Sequence, residues 1–198
     1  MDSFCRQNDE RISNLEQQLK KLKKVNDFLV EKVASQGKEI SRLNEKSPPQ
    51  LSWKINGIGK SLSQSDQKTG IDSVPFYSAT SGYKLKVSIY PKGNKTCNNI
   101  YLSVFLVVME GEHDAVLPWP FHQKVFFTLV DQQEESKEKK NIDMEFITDP
   151  SLESCAKPTK VKKPGVGITR FVSHKNLKTR RYILNDSLLL QVRIRPPC

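Results

Sequence analysis

Catalysis, metal binding and phosphate binding each need particular residue types at particular spacings, so those residues come first. His113, His122 and His174 are the only histidines in the 198 residues, and they stand apart from one another. A zinc site needs three or four imidazole, thiolate or carboxylate ligands, and neither HExxH nor CxxC occurs. Cys5, Cys97, Cys155 and Cys198 are scattered, a pattern that suits a reducing compartment better than a disulfide framework. No GxSxG marks an acyl-transfer nucleophile. Gly59-Lys60-Ser61 looks like the tail of a phosphate loop, but such a loop needs glycine where Lys54 stands. Acidic residues fall mostly in expected loops or on a helix surface, where solvation explains them. The expectation is a non-enzymatic protein with no metal and no cofactor.

Binding is therefore the chemistry to look for. The net charge of +10 is unevenly spread: residues 137–198 carry 14 basic and 6 acidic side chains, whereas residues 47–136 balance at 8 and 8. A basic last third can seek phosphates on a membrane or nucleic acid, and this is the alternative reading of function; it can also simply aid solubility. The opening residues MDSFCRQNDE are too polar for a secretory leader, and no apolar run approaches the ~20 residues of a membrane span. A cytoplasmic location is expected. Asn94-Lys95-Thr96 and Asn185-Asp186-Ser187 fit the glycosylation pattern but are expected to be idle there.

The element that dominates the first quarter is a heptad run. Ile12, Leu19, Asn26, Val33 and Ile40 fall at a, and Leu15, Leu22, Leu29, Gln36 and Leu43 fall at d. Eight of these ten are apolar without a slip in spacing, which predicts a coiled coil whose seam needs partner helices. Asn26 at an a position trades stability for register. Gly37 weakens the last turns by about 1 kcal/mol relative to alanine. Heptad chemistry leaves two and three strands both open. Ser47-Pro48-Pro49 ends the helix, so residues 1–46 are read as an oligomerisation helix and 47–198 as a separate domain.

Beyond Pro49 the period changes from helical to alternating. Leu51, Trp53 and Ile55 read as a half-buried strand, and Gly57 and Gly59 as a loop. Tyr83–Tyr90 alternates cleanly after a turn at Ser81-Gly82. Ile100–Met109 is nearly continuous in apolar residues and reads as a central strand. Strands are also expected at Phe76-Tyr77, 124–130, 167–172 and 188–194, with a charged loop at 131–140. Many short strands with Pro and Gly turns predict an all-β sandwich.

Several stretches resemble a known family: Leu51-Ser52-Trp53-Lys54-Ile55, Pro75-Phe76-Tyr77, Gly82-Tyr83-Lys84-Leu85, Leu102-Ser103-Val104-Phe105, Asp114-Ala115-Val116-Leu117-Pro118-Trp119-Pro120-Phe121 and Leu184-Asn185-Asp186-Ser187-Leu188. In this order they resemble the C-terminal domain of the TRAF (tumour necrosis factor receptor-associated factor) adaptors, within the wider MATH group. The resemblance implies an eight-stranded antiparallel β-sandwich, trimerised by the preceding coiled coil. It implies a cytoplasmic signalling adaptor of innate-immune type that binds short extended peptides at a sheet edge. The implied partners are cytoplasmic tails of tumour-necrosis-factor-type or Toll-pathway receptors, or their adaptors. Membrane proximity would come only through the receptors, and no nucleic acid is expected. Family members often begin with a RING and zinc fingers that confer ubiquitin ligase activity. This chain has no such cysteine array, which implies an adaptor without ligase activity, a fragment or a truncated relative.

Carried over position by position, the resemblance implies a peptide site made of Ser88, Tyr90, Asn94, Phe105, Phe146, Ser154, Val166 and Gly167. The aromatic floor of Tyr90, Phe105 and Phe146 is retained. Ser88 stands where many members have arginine, and Asn94 where an acidic residue is common. A serine cluster is reduced to Ser154, and Val166-Gly167 replaces a serine-glycine pair. Pro164-Gly165-Val166-Gly167 and Phe171-Val172-Ser173-His174 resemble divergent members with glycine-rich groove edges. With an arginine and two hydroxyls missing, fewer charge-assisted bonds to an acidic or glutamine-bearing peptide are available. The expected groove is more apolar, with a different preferred motif.

Overall fold

The structure, a computed structural model, describes residues 2–46, 48–63, 70–93, 100–159 and 164–197. It divides into two compact units, Met1–Ser47 and Pro48–Cys198. The first is a single helix, α1 (Asp2–Lys46). Its sequence is rich in Leu, Lys, Gln and Glu, all good helix formers. Ile12, Leu15, Leu19, Leu22, Leu29 and Val33 stand exposed along it, Leu22 at 68%. Asn26 is exposed among them, and Ile40 and Leu43 continue the same helix.

The second unit is built from two antiparallel sheets. One contains β1 (Leu51–Asn56), β6 (Lys124–Leu129), β7 (Ile142–Ile147) and β9 (Ser187–Arg195), in the order β1-β9-β6-β7. The other contains β2 (Ile71–Asp72), β3 (Phe76–Tyr77), β4 (Lys84–Tyr90), β5 (Tyr101–Met109) and β8 (Val166–Ser173). Its path is β2-β4-β5-β8, and β3 also pairs with β4. Ile71 lies opposite Ile89, and Phe76 opposite Leu85. The two short strands are thus halves of one interrupted edge strand, which makes eight strand positions among the described residues. At the interruption Ser73 substitutes side chain for backbone: the Val87 N–H donates to its Oγ at 3.0 Å, and that hydroxyl donates to the Val74 carbonyl at 2.8 Å.

Alternation puts Leu85, Val87, Ile89, Val104 and Leu106 of one sheet against Val125, Phe127, Leu129, Leu190 and Val192 of the other, all within 2% exposure. This layer is the core, and its burial is what drives the two sheets together.

Two elements depart from the sequence expectation. Gly57, at φ 75°, leads into a short helix, α2 (Ile58–Ser63), where a loop was expected. The N–H groups of Gly57 and Ile58 donate to the Asp186 carbonyl and that of Gly59 to its carboxylate, so an internal anion caps this helix start. Asn185 and Asp186, at φ 49° and 57°, form the tight turn that presents it. The second departure is β7, where Ile142, Met144 and Phe146 alternate with Asp143 and Glu145 immediately after the charged loop. Its charged face points to solvent, as an edge strand's can.

Candidate functional site

The motifs that carry the family resemblance turn out to brace the fold. The Tyr83 ring meets Trp119 and Phe121 edge-on, at 5.2 and 4.8 Å between centroids. Its hydroxyl donates to the Pro118 carbonyl, and burial raises its pKa. Trp119 Nε1 donates to the Asp114 carbonyl at 2.9 Å. Gly82 is required because a Cβ there would lie 2.6 Å from the Ala79 nitrogen. His122 and His174 are likewise tied to carbonyls, those of Thr148 at 2.8 Å and Pro91 at 2.7 Å. Among the described residues no three His, Cys, Asp or Glu side chains gather as metal ligands.

A different set meets on the outer face of the β4-β5-β8 sheet. With Leu85, Val87 and Ile89 buried inward, β4 turns Lys86, Ser88 and Tyr90 outward. Ser88 lies opposite Phe105 and Tyr90 opposite Ser103, while Phe105 lies opposite Gly167 on its other side and Leu106 opposite Val166. The Tyr90 and Phe105 rings meet edge-on at 5.7 Å and 85°, both half-buried. Two glycines let β8 approach β5 closely at Phe105. A Cβ on Gly167 would stand 2.6 Å from the Phe105 Cα, and one on Gly165 would stand 2.8 Å from its Cβ. A third, Gly70, lets the Tyr90 ring pass within 2.8 Å of where its own Cβ would be.

β8 is the last strand of its sheet, and β7 is the last of the other. Opposite Ser103 the ladder shifts register between Leu102 and Val104, so Thr169, Arg170 and Phe171 of β8 face a single β5 residue. Ser103 Oγ bonds the Thr169 carbonyl across this bulge. An edge strand of this kind presents backbone donors and acceptors to an added chain.

The remaining expected site residues are placed differently. Phe146 belongs to the other sheet and points inward, 6.0 Å from Phe127, which in turn lies 6.2 Å from Phe171 of β8. It therefore packs against the core between the two sheets, not on the outer face that holds Tyr90. Ser154, in the 3-10 turn Glu153–Cys155, is 6% exposed. Burial raises the neighbouring Cys155 pKa, while hydrogen bonds with the Ser154 and Thr148 side chains act in the opposite direction. Asn94 lies outside the described residues. Sequence reasoning passed over Asp72, which accepts from Ser88 Oγ at 2.5 Å and pairs with Lys86. Its only signal was an isolated acid beside Ile71 in a two-residue strand.

An antiparallel sandwich with this strand order and these bracing motifs defines a MATH-type domain. Residues 68–191 match the family described as TRAF/meprin, MATH domain. The chain is 34% identical over 148 residues to TNF receptor-associated factor 5 of Mus musculus, covering 73% of this chain and 26% of that protein. It is 32% identical over 145 residues to TNF receptor-associated factor 6-A of Xenopus laevis (70% and 26% covered). Against human TNF receptor-associated factor 1 the identity is 34% over 143 residues (70% and 33%). The solved structure of Notothenia coriiceps TRAF5 superposes with a TM-score of 0.68 at 26% identity, covering 96% of this chain and 94% of that one. The chain belongs to the TRAF family of signalling adaptors. It spans about a quarter to a third of the length of the curated relatives it matches. Among the described residues no helix is long and apolar enough to cross a membrane.

Proposed function

We propose that this chain is a cytoplasmic adaptor that trimerises through α1 and captures extended peptides from receptor tails or their adaptors at the β8 edge. The observation that carries the reading is the Tyr90–Phe105 pair, half-buried on the outer face beside a terminal strand whose glycines pack close against Phe105. Edge pairing would supply main-chain hydrogen bonds, and the aromatic floor would supply side-chain discrimination. The exposed heptad stripe of α1 supports assembly, because a row of leucines in water is stable only when partner helices cover it. Linking three weak sites then multiplies affinity only for partners that are themselves clustered. No ligase role is assigned to this chain; its part is to bring bound partners together.

The basic last third gives less support to a phosphate-binding reading. Arg180 pairs with Asp131 and Arg181 with Glu134, so these cations are engaged within the fold. Capture of synthetic receptor-tail peptides by the full chain, compared with Tyr90→Ala, tests the proposal. Loss of capture in a variant that melts as the parent does is the expected result. Equal capture by both would remove the groove assignment, and capture that collapses steeply with salt would favour phosphate-driven binding instead.

A further inference from the structure

Among the described residues of α1, three large apolar side chains stand exposed outside the a and d seam: Val25 at 55%, Phe28 at 62% and Val30 at 60%. In the heptad frame set by Ile12 and Leu15, Val25 falls at g, Phe28 at c and Val30 at e. Positions g and e flank the seam and ordinarily carry charges, whereas c faces away from it. The two valines bracket Asn26 and Leu29, so the apolar stripe widens where its own a residue is polar.

In a parallel, in-register neighbour, position g of one helix meets position e of the following heptad. In this chain that brings Val25 to Val30 of the next copy, and Arg11 to Glu16. Gln18 then faces Lys23, and Lys32 faces Gly37, so none of these pairs sets like charges together. Asn26 meets Asn26, and the two amides can bond each other. An antiparallel neighbour brings g to g and e to e, which separates Val25 from Val30, and it sets Asn26 against a d residue.

We propose that Val25 and Val30 form an apolar clasp that selects a second copy of this chain, in parallel register, over coiled coils with charged flanks. The inference rests on the reading of α1 as an assembly helix and deepens it by naming the residues that fix partner and direction. A helix with lysine or glutamate at either position has to bury that charge against valine, and this cost is the source of the discrimination.

The test uses the full chain with Val25→Glu, with Val30→Lys and with both, read by sedimentation equilibrium at low and high salt. Each single substitution should weaken assembly by roughly tenfold. The double variant should recover most of that loss at low salt, because the new carboxylate of one copy meets the new ammonium of the next. High salt should remove the recovery while leaving the parent unchanged. Parent and double variant, tagged differently and mixed, should sort into separate assemblies. Single variants that assemble as the parent does, a double variant no tighter at low salt than the weaker single, or free mixing with the parent would each overturn the clasp and leave assembly through α1 standing. A monomeric parent would take down the assembly and the clasp together.

Discussion

Gly167 and Phe105 face each other across β8 and β5 so closely that no side chain fits on the glycine. A Cβ there would meet the Val104 carbonyl and stand 2.6 Å from the Phe105 Cα. This approach holds the edge strand against Phe105, and it makes Gly167 a packing requirement, whatever its part in the proposed groove.

Gly167→Ala should therefore displace β8 and destabilise the sandwich by about 1–3 kcal/mol, the usual cost of overpacking. Urea titration reads the loss as a lower midpoint. Peptide capture at native-favouring conditions should fall too, because the edge and Phe105 move apart. A variant with parental stability and capture would contradict the close approach.

Phe127 is fully buried and joins both edges of the sandwich, touching Phe146 of β7 and Phe171 of β8. Phe127→Ala should cost about 3–5 kcal/mol. Thermal and chemical unfolding should agree on that loss. Phe126→Ala on the same strand, whose ring is half-buried on the outer face, should cost much less.

Asp131 is wholly buried and anchors the charged loop, accepting from Arg180 Nε at 2.5 Å and from the N–H groups of Lys140 and Gln133. Burial alone would raise its pKa, but the Arg180 hydrogen bond, these N–H groups and the Arg180 charge together lower it. A folded-state pKa below the unfolded one gives stability that is present above the ordinary carboxylate range. It is lost as pH falls below about 4, through the lowered value. The urea midpoint of the parent should exceed that of Asp131→Asn at neutral pH, and the gap should close in acid. A gap independent of pH would show that the charge contributes nothing.

The leucines of α1 present the oligomerisation question directly. The full chain should sediment at equilibrium as a trimer, and replacing Leu22 and Leu29 together with serine should yield monomers. Helical circular dichroism should drop in the same variant, since an isolated helix is marginal in water without its partners. A monomeric parent would refute the coiled-coil reading.

Much of this architecture is legible before any coordinates. Heptads at 12–43, alternation at 83–90 and the apolar run at 100–109 arise from local periodicity, which one stretch of chain carries by itself. The motifs Gly82-Tyr83-Lys84-Leu85 and Leu117-Pro118-Trp119-Pro120-Phe121 point to the family because Tyr83, Trp119 and Phe121 must pack together to close the sandwich. β7 escaped because its polar half merges in composition with the charged loop before it. α2 escaped because its start is capped by Asp186, more than a hundred residues away in the chain.

The candidate site divides along the same line. Sequence alone determined which residues are aromatic, glycine or hydroxyl at the resembling positions, and that the heptad helix has an apolar stripe to bury. Only the tertiary structure decided that Tyr90, Phe105 and Gly167 share one outer face while Phe146 turns inward from the opposite sheet. It also brought Asp72, from the far edge strand, to the proton of Ser88. Side-chain parity along a strand follows from a period of two, but which strands become neighbours depends on burying both sheets' apolar faces at once. That choice is made by the whole chain, and no local stretch encodes it.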